Sequence, residues 1–320
     1  MDDRALLDQA LLDRALLDGA IARLKATGVI EYTGEFGCEI TTFIPFVGWL
    51  KAEGLLEGRR VLTYAGMRPY YYFLGDGEYG EKAGDRHWID VQERGWPTNS
   101  TYTATRQPWH APPDYRSRYR GQGPTFARPV LFVQNKFCLE WGRGPINFLP
   151  LNLLARLLSR ASARFDIVYS RPRPLRREVG FTPDNNAYCD YPDIALVREH
   201  PNVTILEDLC ERTGAPYNLT KLEILAKSNL FVAVQGGGAH LLACFGNSLI
   251  LLLHYIGDED PHAYQAGPYK YLANPAPTLL LARDHARMES GVDLICAFEM
   301  TGGVGRIDAR YAPVLKALQA

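Results

Sequence analysis

The amino-acid sequence predicts an α/β protein built from two Rossmann-like domains that face each other across a cleft. Short β-rich runs alternate with helical stretches along most of the chain, the order expected of parallel sheets. The later runs, such as "LFVAVQ" and "SLILLLHYIG", are apolar throughout, as strands covered on both faces are. A stretch from Thr98 to Arg128, rich in Pro, Gly, Tyr, Arg and Thr and without a steady period, splits the alternation in two. These features divide the chain into an N-terminal leucine-rich helix (1–26), an N-terminal Rossmann-like domain (27–127) carrying the long loop 98–128, and a C-terminal Rossmann-like domain (128–320). A chain of 320 residues, 47% of them hydrophobic, has enough apolar side chains for cores in both.

The elements follow in order. "ALLDQALLDRALLDG" is helical by its Ala and Leu content. Its five-residue repeat turns the pattern by about 140° each time at about 100° per residue, so the leucines spread around the helix. That helix either packs on its own domain or meets a second subunit or a membrane surface. "GVIEYTG" reads as a strand, "CEITTFIPFVGWLKAEG" as a helix ending at Gly54, and "RRVLTYAG" as a second strand. After the long loop come strand "PVLFVQNK", helix "PINFLPLNLLARLLSRAS" and strand "FDIVYSRP". Strand "NVTILEDL", helix "NLTKLEILAKS", strand "LFVAVQ", helix "GGAHLLACFG" and strand "SLILLLHYIG" complete the reading.

Composition narrows the function classes. A formal net charge of −1 gives bulk electrostatics no preference for nucleic acid or an anionic membrane. Cys38, Cys138, Cys189, Cys210, Cys244 and Cys296 are widely spaced and include no CxxC pair, which argues against structural zinc. The first residues carry acids among their leucines and lack a secretory pattern, so free thiols in a cytoplasmic setting are expected. On that reading the acceptor-type triplets at Asn99, Asn202 and Asn218 are chance matches. No apolar run is long enough to span a bilayer, and no DxD triplet indicates a dedicated divalent-metal site.

The most informative segment is "VAVQGGGAHLLACFG", where an apolar strand runs through Gln235 into Gly236, Gly237 and Gly238 and then into a helix. One glycine would serve tight strand-to-helix packing; three in a row bare consecutive N–H groups, and a helix start favours an anion. His240 on the first turn could donate to a phosphate or a sugar hydroxyl. In "VQNKFCLEWGRGP", Lys136 offers a point charge for phosphate and Asn135 a donor and an acceptor. Glu259, in "HYIGDEDPHAY", follows another strand, where a carboxylate could hold sugar hydroxyls. In the N-terminal domain, Glu35 and Glu39 lie in or just after a glycine-containing loop, placed to act as general base or simply favoured at a helix start. Trp109, His110, Tyr115 and Arg116 in the long loop could shape an acceptor site.

The loop and helix around "TTFIPFVGWLKAEG" are similar to the start of heptosyltransferase-like GT-B glycosyltransferases, in which a loop acid precedes such a helix. "QGGGAHLLACFGNSLILL" resembles the segment with which that family holds the diphosphate of a nucleotide sugar, matched here by Gly236 to Gly238, His240 and Ala243. The acid is Glu39 or Glu35 where the family usually has Asp, and Gln235 stands where an Asp often precedes the turn. The resemblance implies a GT-B arrangement and an inverting, metal-independent glycosyltransferase without a cofactor. A nucleotide-sugar donor would sit on Asn135, Lys136, Gln235, Gly236, Gly237, Gly238, His240 and Glu259, and a glycan or glycoconjugate hydroxyl would lose its proton to Glu39 or Glu35. The same scaffold could instead serve a sugar-nucleotide epimerase or hydrolase, or a non-catalytic carbohydrate-binding module assembled through residues 1–20.

Overall fold

The computed structural model describes residues 3–89, 93, 95–97, 107–139, 144–173, 175, 180, 188–254, 268–297, 299–301, 304–306 and 312–319. It is a mixed α/β protein with two parallel sheets, of three and six strands, and a short antiparallel pair near the C-terminus.

The N-terminal half opens with α1 (Asp3–Thr27). Leu17, Ala20 and Leu24, three and four residues apart, form a stripe that enters the core, while Leu11 stays 61% exposed. The second half of the helix thus packs on its own chain, because Ala20 and Leu24 fall outside the five-residue repeat and restore a helical period. Strands β1 (Val29–Glu31), β2 (Arg60–Tyr64) and β3 (Tyr79–Lys82) pair side by side in parallel. Between β1 and β2 the chain is helical from α2 (Phe36–Cys38) through a wide π turn (Glu39–Phe43) into α3 (Ile44–Ala52). The wide turn has a local cause. Pro45 lacks the N–H that an α-register would offer to the Thr41 carbonyl; Ile44 N–H reaches back to Glu39, and the His110 ring lies 3.4 Å from the Thr41 oxygen.

The C-terminal half contains β4 (Val130–Gln134), β5 (Asp166–Ser170), β6 (Val203–Ile205), β7 (Ser228–Val234), β8 (Leu249–Leu253) and β9 (Thr278–Ala282), all parallel in the order β6-β5-β4-β7-β8-β9. Counted within this half the order is 3-2-1-4-5-6, that of a doubly wound dinucleotide-type sheet. Alternate residues of each strand serve opposite faces. Leu131, Val133, Leu230 and Val232 pack with Leu154 and Leu157 of a helix over Leu151–Ala161 and with Val292 and Ile295 of another over His285–Ala297. Val130, Phe132, Phe231 and Ala233 pack on the other face in one core with the N-terminal half.

Strands β3 and β9 and the helical turn Tyr115–Tyr119 go beyond what the sequence predicts, and one predicted element differs in kind. "NVTILEDL" is a strand only to Ile205; Leu206–Thr213 is helical, with Glu207 and Asp208 in a first turn where the dipole favours acids and Gly214 closing it in the left-handed region. Two further helices on this side of the sheet are Tyr217–Lys227 and the short Gly237–Leu242. Among the described residues no helix is long and apolar enough to cross a membrane.

The described part of the long loop, 107–128, binds the halves together, and of the residues considered for an acceptor Trp109 and Arg116 stay half-buried. His110 and Tyr115 are buried, and Tyr115 donates its hydroxyl to the Tyr70 carbonyl at 3.1 Å. Arg116, in a helical turn over Tyr115–Tyr119, donates to the carbonyls of Ala226 (3.1 Å), Ser228 (2.9 Å) and Phe245 (3.3 Å). Its fork therefore caps the end of helix Tyr217–Lys227 and the turn after Gly237–Leu242. Asn218 completes the junction: its Nδ2 donates to Gly66 at 2.8 Å, and its oxygen accepts from Tyr70 at 3.3 Å. A buried, doubly bonded Asn218 is no modification acceptor.

Replacing Arg116 with Ala orphans those carbonyls and should cost about 2–4 kcal/mol in urea unfolding. Arg116→Lys should recover little of it, since an ammonium cannot reproduce the planar fork.

Candidate functional site

In an open parallel sheet the ligand crevice lies beyond the carboxyl ends of the strands where their order reverses. Here that point is between β4 and β7, at Gln134 and Val234. A cavity of about 110 Å³ opens there, with Lys136, Lys221, Gln235 and the three glycines among its walls. Its described walls carry two lysines and no carboxylate.

Each glycine has its own structural reason. Gly236 has φ +137°, open to glycine alone, and a Cβ on it would lie 3.3 Å from the Lys136 Nζ. A Cβ on Gly237 would stand 3.1 Å from the Gly37 nitrogen, and one on Gly238 would press on the Gln134 side chain at 2.9 Å. The expectation that a single glycine serves packing is therefore corrected: three separate close approaches demand three residues without side chains. The same loss of side chains lets the loop form a pocket wall, and the first-turn N–H groups of Gly237 and Gly238 have no carbonyl within the helix to donate to.

The polar residues divide by their surroundings. Lys136 is half-buried, its aliphatic stem running over Gly236. Gln235 keeps its side-chain oxygen on Asn147 Nδ2 at 2.9 Å. Asn135 touches the pocket, but its amide is committed inward: Oδ1 accepts from Leu149 N–H at 2.9 Å, and Nδ2 donates to the Tyr169 hydroxyl at 2.9 Å. His240 is not on the pocket wall. It is 9% exposed, edge-on to Tyr269 with centroids 5.8 Å apart and against Gly37, so it belongs to the seam between the halves. Glu259 lies outside the described residues.

Lys221 was not singled out by sequence reasoning. It is 4% exposed on helix Tyr217–Lys227 and lines the pocket, with Nζ donating to Gln134 Oε1 at 2.7 Å and 5.6 Å above the Tyr217 ring. Burial pushes its pKa down to about 8, with the charge of Glu207 working the other way. The signal was in the spacing: Lys221 stands four residues from both Tyr217 and Leu225, on the buried stripe of its helix.

The carboxylates of the N-terminal half part company. Glu39 and Arg86 are both 0% exposed and ion-paired at 2.7 Å. The other oxygen of Glu39 accepts from Tyr71 at 2.7 Å and from Thr63, and the Arg86 guanidinium lies 4.3 Å from the Tyr64 ring centroid. A carboxylate enclosed in this way has no access to an acceptor hydroxyl, so these surroundings give Glu39 a structural place. Glu35 is half-buried and immediately precedes Phe36, whose ring reaches the pocket wall.

Glu39→Gln should lower stability by about 3–5 kcal/mol, because Arg86 is left buried and uncompensated; replacing both residues with Met should cost less than either single change. Lys221 supplies a pH test. A lysine titrates near 10.5 in the unfolded chain and near 8 here, so between those values the unfolded chain holds more protons and folding stability rises with pH. Urea unfolding across that window should show the wild type gaining on Lys221→Met by up to about 3 kcal/mol.

Comparison with known proteins finds no matching family model, no matching curated protein and no matching solved structure.

Proposed function

We propose that the chain binds the diphosphate of a nucleotide sugar at the switch-point pocket and transfers the sugar to a hydroxyl of a glycan or glycoconjugate. The observation that carries the binding half is the convergence of Lys136, Lys221 and Gly236 to Gly238 on one cavity with no acid in its described walls. A cavity of about 110 Å³ is smaller than the ~300–1,000 Å³ of sites that enclose a whole small-molecule ligand. It is sized for phosphoryl groups, with the rest of the donor reaching beyond it.

The transfer half rests on the resemblance of the two sequence segments to GT-B glycosyltransferases. In that arrangement the C-terminal half takes the donor and the N-terminal half faces the acceptor. Phe36 brings the N-terminal half to the pocket wall, which supports a site made by both. The lysines and first-turn N–H groups would stabilise charge growing on the leaving nucleoside diphosphate, the main electrostatic demand of the reaction. With Glu39 enclosed, Glu35 is the carboxylate assigned to the acceptor proton.

Calorimetric titration with UDP, GDP, ADP and CMP tests the binding half. One nucleotide should bind, and Lys136→Met should weaken it at least about tenfold, the loss of one charge-assisted contact, with an unchanged melting curve. Failure of the wild type to bind any of them would sink the reading. With the matching nucleotide sugar, release of nucleotide should require an acceptor, and Glu35→Gln should abolish release while preserving nucleotide affinity.

A further inference from the structure

Behind the pocket lies a buried carboxyl group, its pKa raised by burial, that packing does not explain. Glu207 is fully buried on helix Leu206–Thr213; its Oε1 accepts from Ser170 Oγ at 2.7 Å and from the Tyr217 hydroxyl at 3.2 Å. Its Oε2 is buried without a hydrogen-bond partner among the described residues. An orphaned carboxylate oxygen costs stability and calls for a reason. The neighbour that supplies one is Lys221, which among the described residues has a single hydrogen bond, to the neutral Gln134, and feels the field of Glu207. Lys221 is also the more deeply buried of the two pocket lysines.

We propose that Lys221 is a second phosphoryl-binding cation of the pocket and that Glu207 is the positioning residue that sets its charge, so that a phosphoryl ligand is taken up together with a proton. The inference rests on reading the pocket as a phosphoryl site. Ammonium and carboxylate act in sequence: without ligand, burial favours the neutral amine and Glu207 partly offsets that penalty. A phosphoryl group arriving at Nζ adds a second anion and draws the proton on. Among the described residues of the pocket, the other titratable groups are Tyr217 on the same helix as Lys221 and Lys136, Cys138 and Tyr188 on the wall. Burial holds the Tyr217 hydroxyl well above its ordinary pKa, and therefore neutral.

The test uses inorganic phosphate, and sulfate as a tetrahedral dianion that does not titrate in the range, by calorimetry from pH 6.5 to 9.5 in two buffers of different ionisation enthalpy. Wild-type affinity for sulfate should fall about tenfold per pH unit above about pH 8, with uptake approaching one proton there. Lys221→Met should bind at least about tenfold more weakly at pH 7, as expected for the loss of a charge-assisted contact, and should take up no proton. Lys136→Met should bind more weakly but keep the uptake. Glu207→Gln should bind at pH 6.5 with its midpoint moved to lower pH, a shift that a merely structural residue would not produce.

The proposal is overturned if the wild type binds neither anion, if Lys221→Met keeps the wild-type pH slope, or if Glu207→Gln leaves the midpoint in place. Should Lys221→Met fail to fold, as read from its circular dichroism, wild-type proton uptake and the Glu207→Gln midpoint decide the matter alone. Anion binding with proton uptake but no consumption of any nucleotide sugar would support this proposal and overturn glycosyl transfer. Donor turnover with pH-independent anion binding would do the reverse.

Discussion

Gly37 and Gly237 lie so close that a Cβ on either would come within 3.2–3.3 Å of the other's Cα, and the rest of the site depends on that approach. Two backbones can meet in this way only where neither carries a side chain. The contact brings Phe36 to the wall of the switch-point pocket and holds the His240 ring between the halves. The halves therefore do not merely neighbour each other: one core runs from Leu17 and Phe43 through Tyr70 and Tyr115 to Phe231 and Ile250. The fork of Arg116 and the amide of Asn218 satisfy, at the same junction, backbone groups that burial would otherwise leave unpaired.

The N-terminal half contains a fully buried ion pair, Glu39 with Arg86. A buried ion pair need not exceed the stability of an apolar replacement, because desolvation offsets the Coulomb gain. Glu39 and Arg86 lower that cost by pairing with each other: Tyr71 and Thr63 donate to one carboxylate oxygen, Arg86 faces the other, and the Tyr64 face takes the guanidinium. The result fixes the wide turn Glu39–Phe43 against β2, and with it the position of the Glu35–Gly37 approach to the pocket. Glu39 thus bears on the site through the fold.

In the C-terminal half the order of the strands does the positioning. Reversal between β4 and β7 leaves their carboxyl ends without a covering crossover, and the chain has placed Gln134, Lys136 and the glycines there. Gln134 links the parts: its side chain fits where Gly238 has none, and its oxygen holds the Lys221 ammonium. Lys221 is held in turn above Tyr217, the residue that shares a hydrogen bond with Glu207. One short network therefore runs from the glycine loop to a carboxylate that never meets solvent.

The sequence by itself determined the local elements. Alternating runs such as "LFVAVQ" and "SLILLLHYIG" marked buried parallel strands because period and apolarity are local properties, and the glycine triplet marked a strand end where backbone is bared. Lys136 and Gly236 to Gly238 were legible for the same reason. The strand order that makes their meeting point a crevice was not, since hydrogen-bond partners between strands are chosen at long range. Lys221 read as an ordinary helical lysine until Tyr217 and Gln134 closed around it. Glu39 read as a loop acid until Arg86, far along the chain, paired with it. Only the tertiary structure decided these assignments, because burial and charge pairing depend on what folds against a residue and not on its neighbours in sequence.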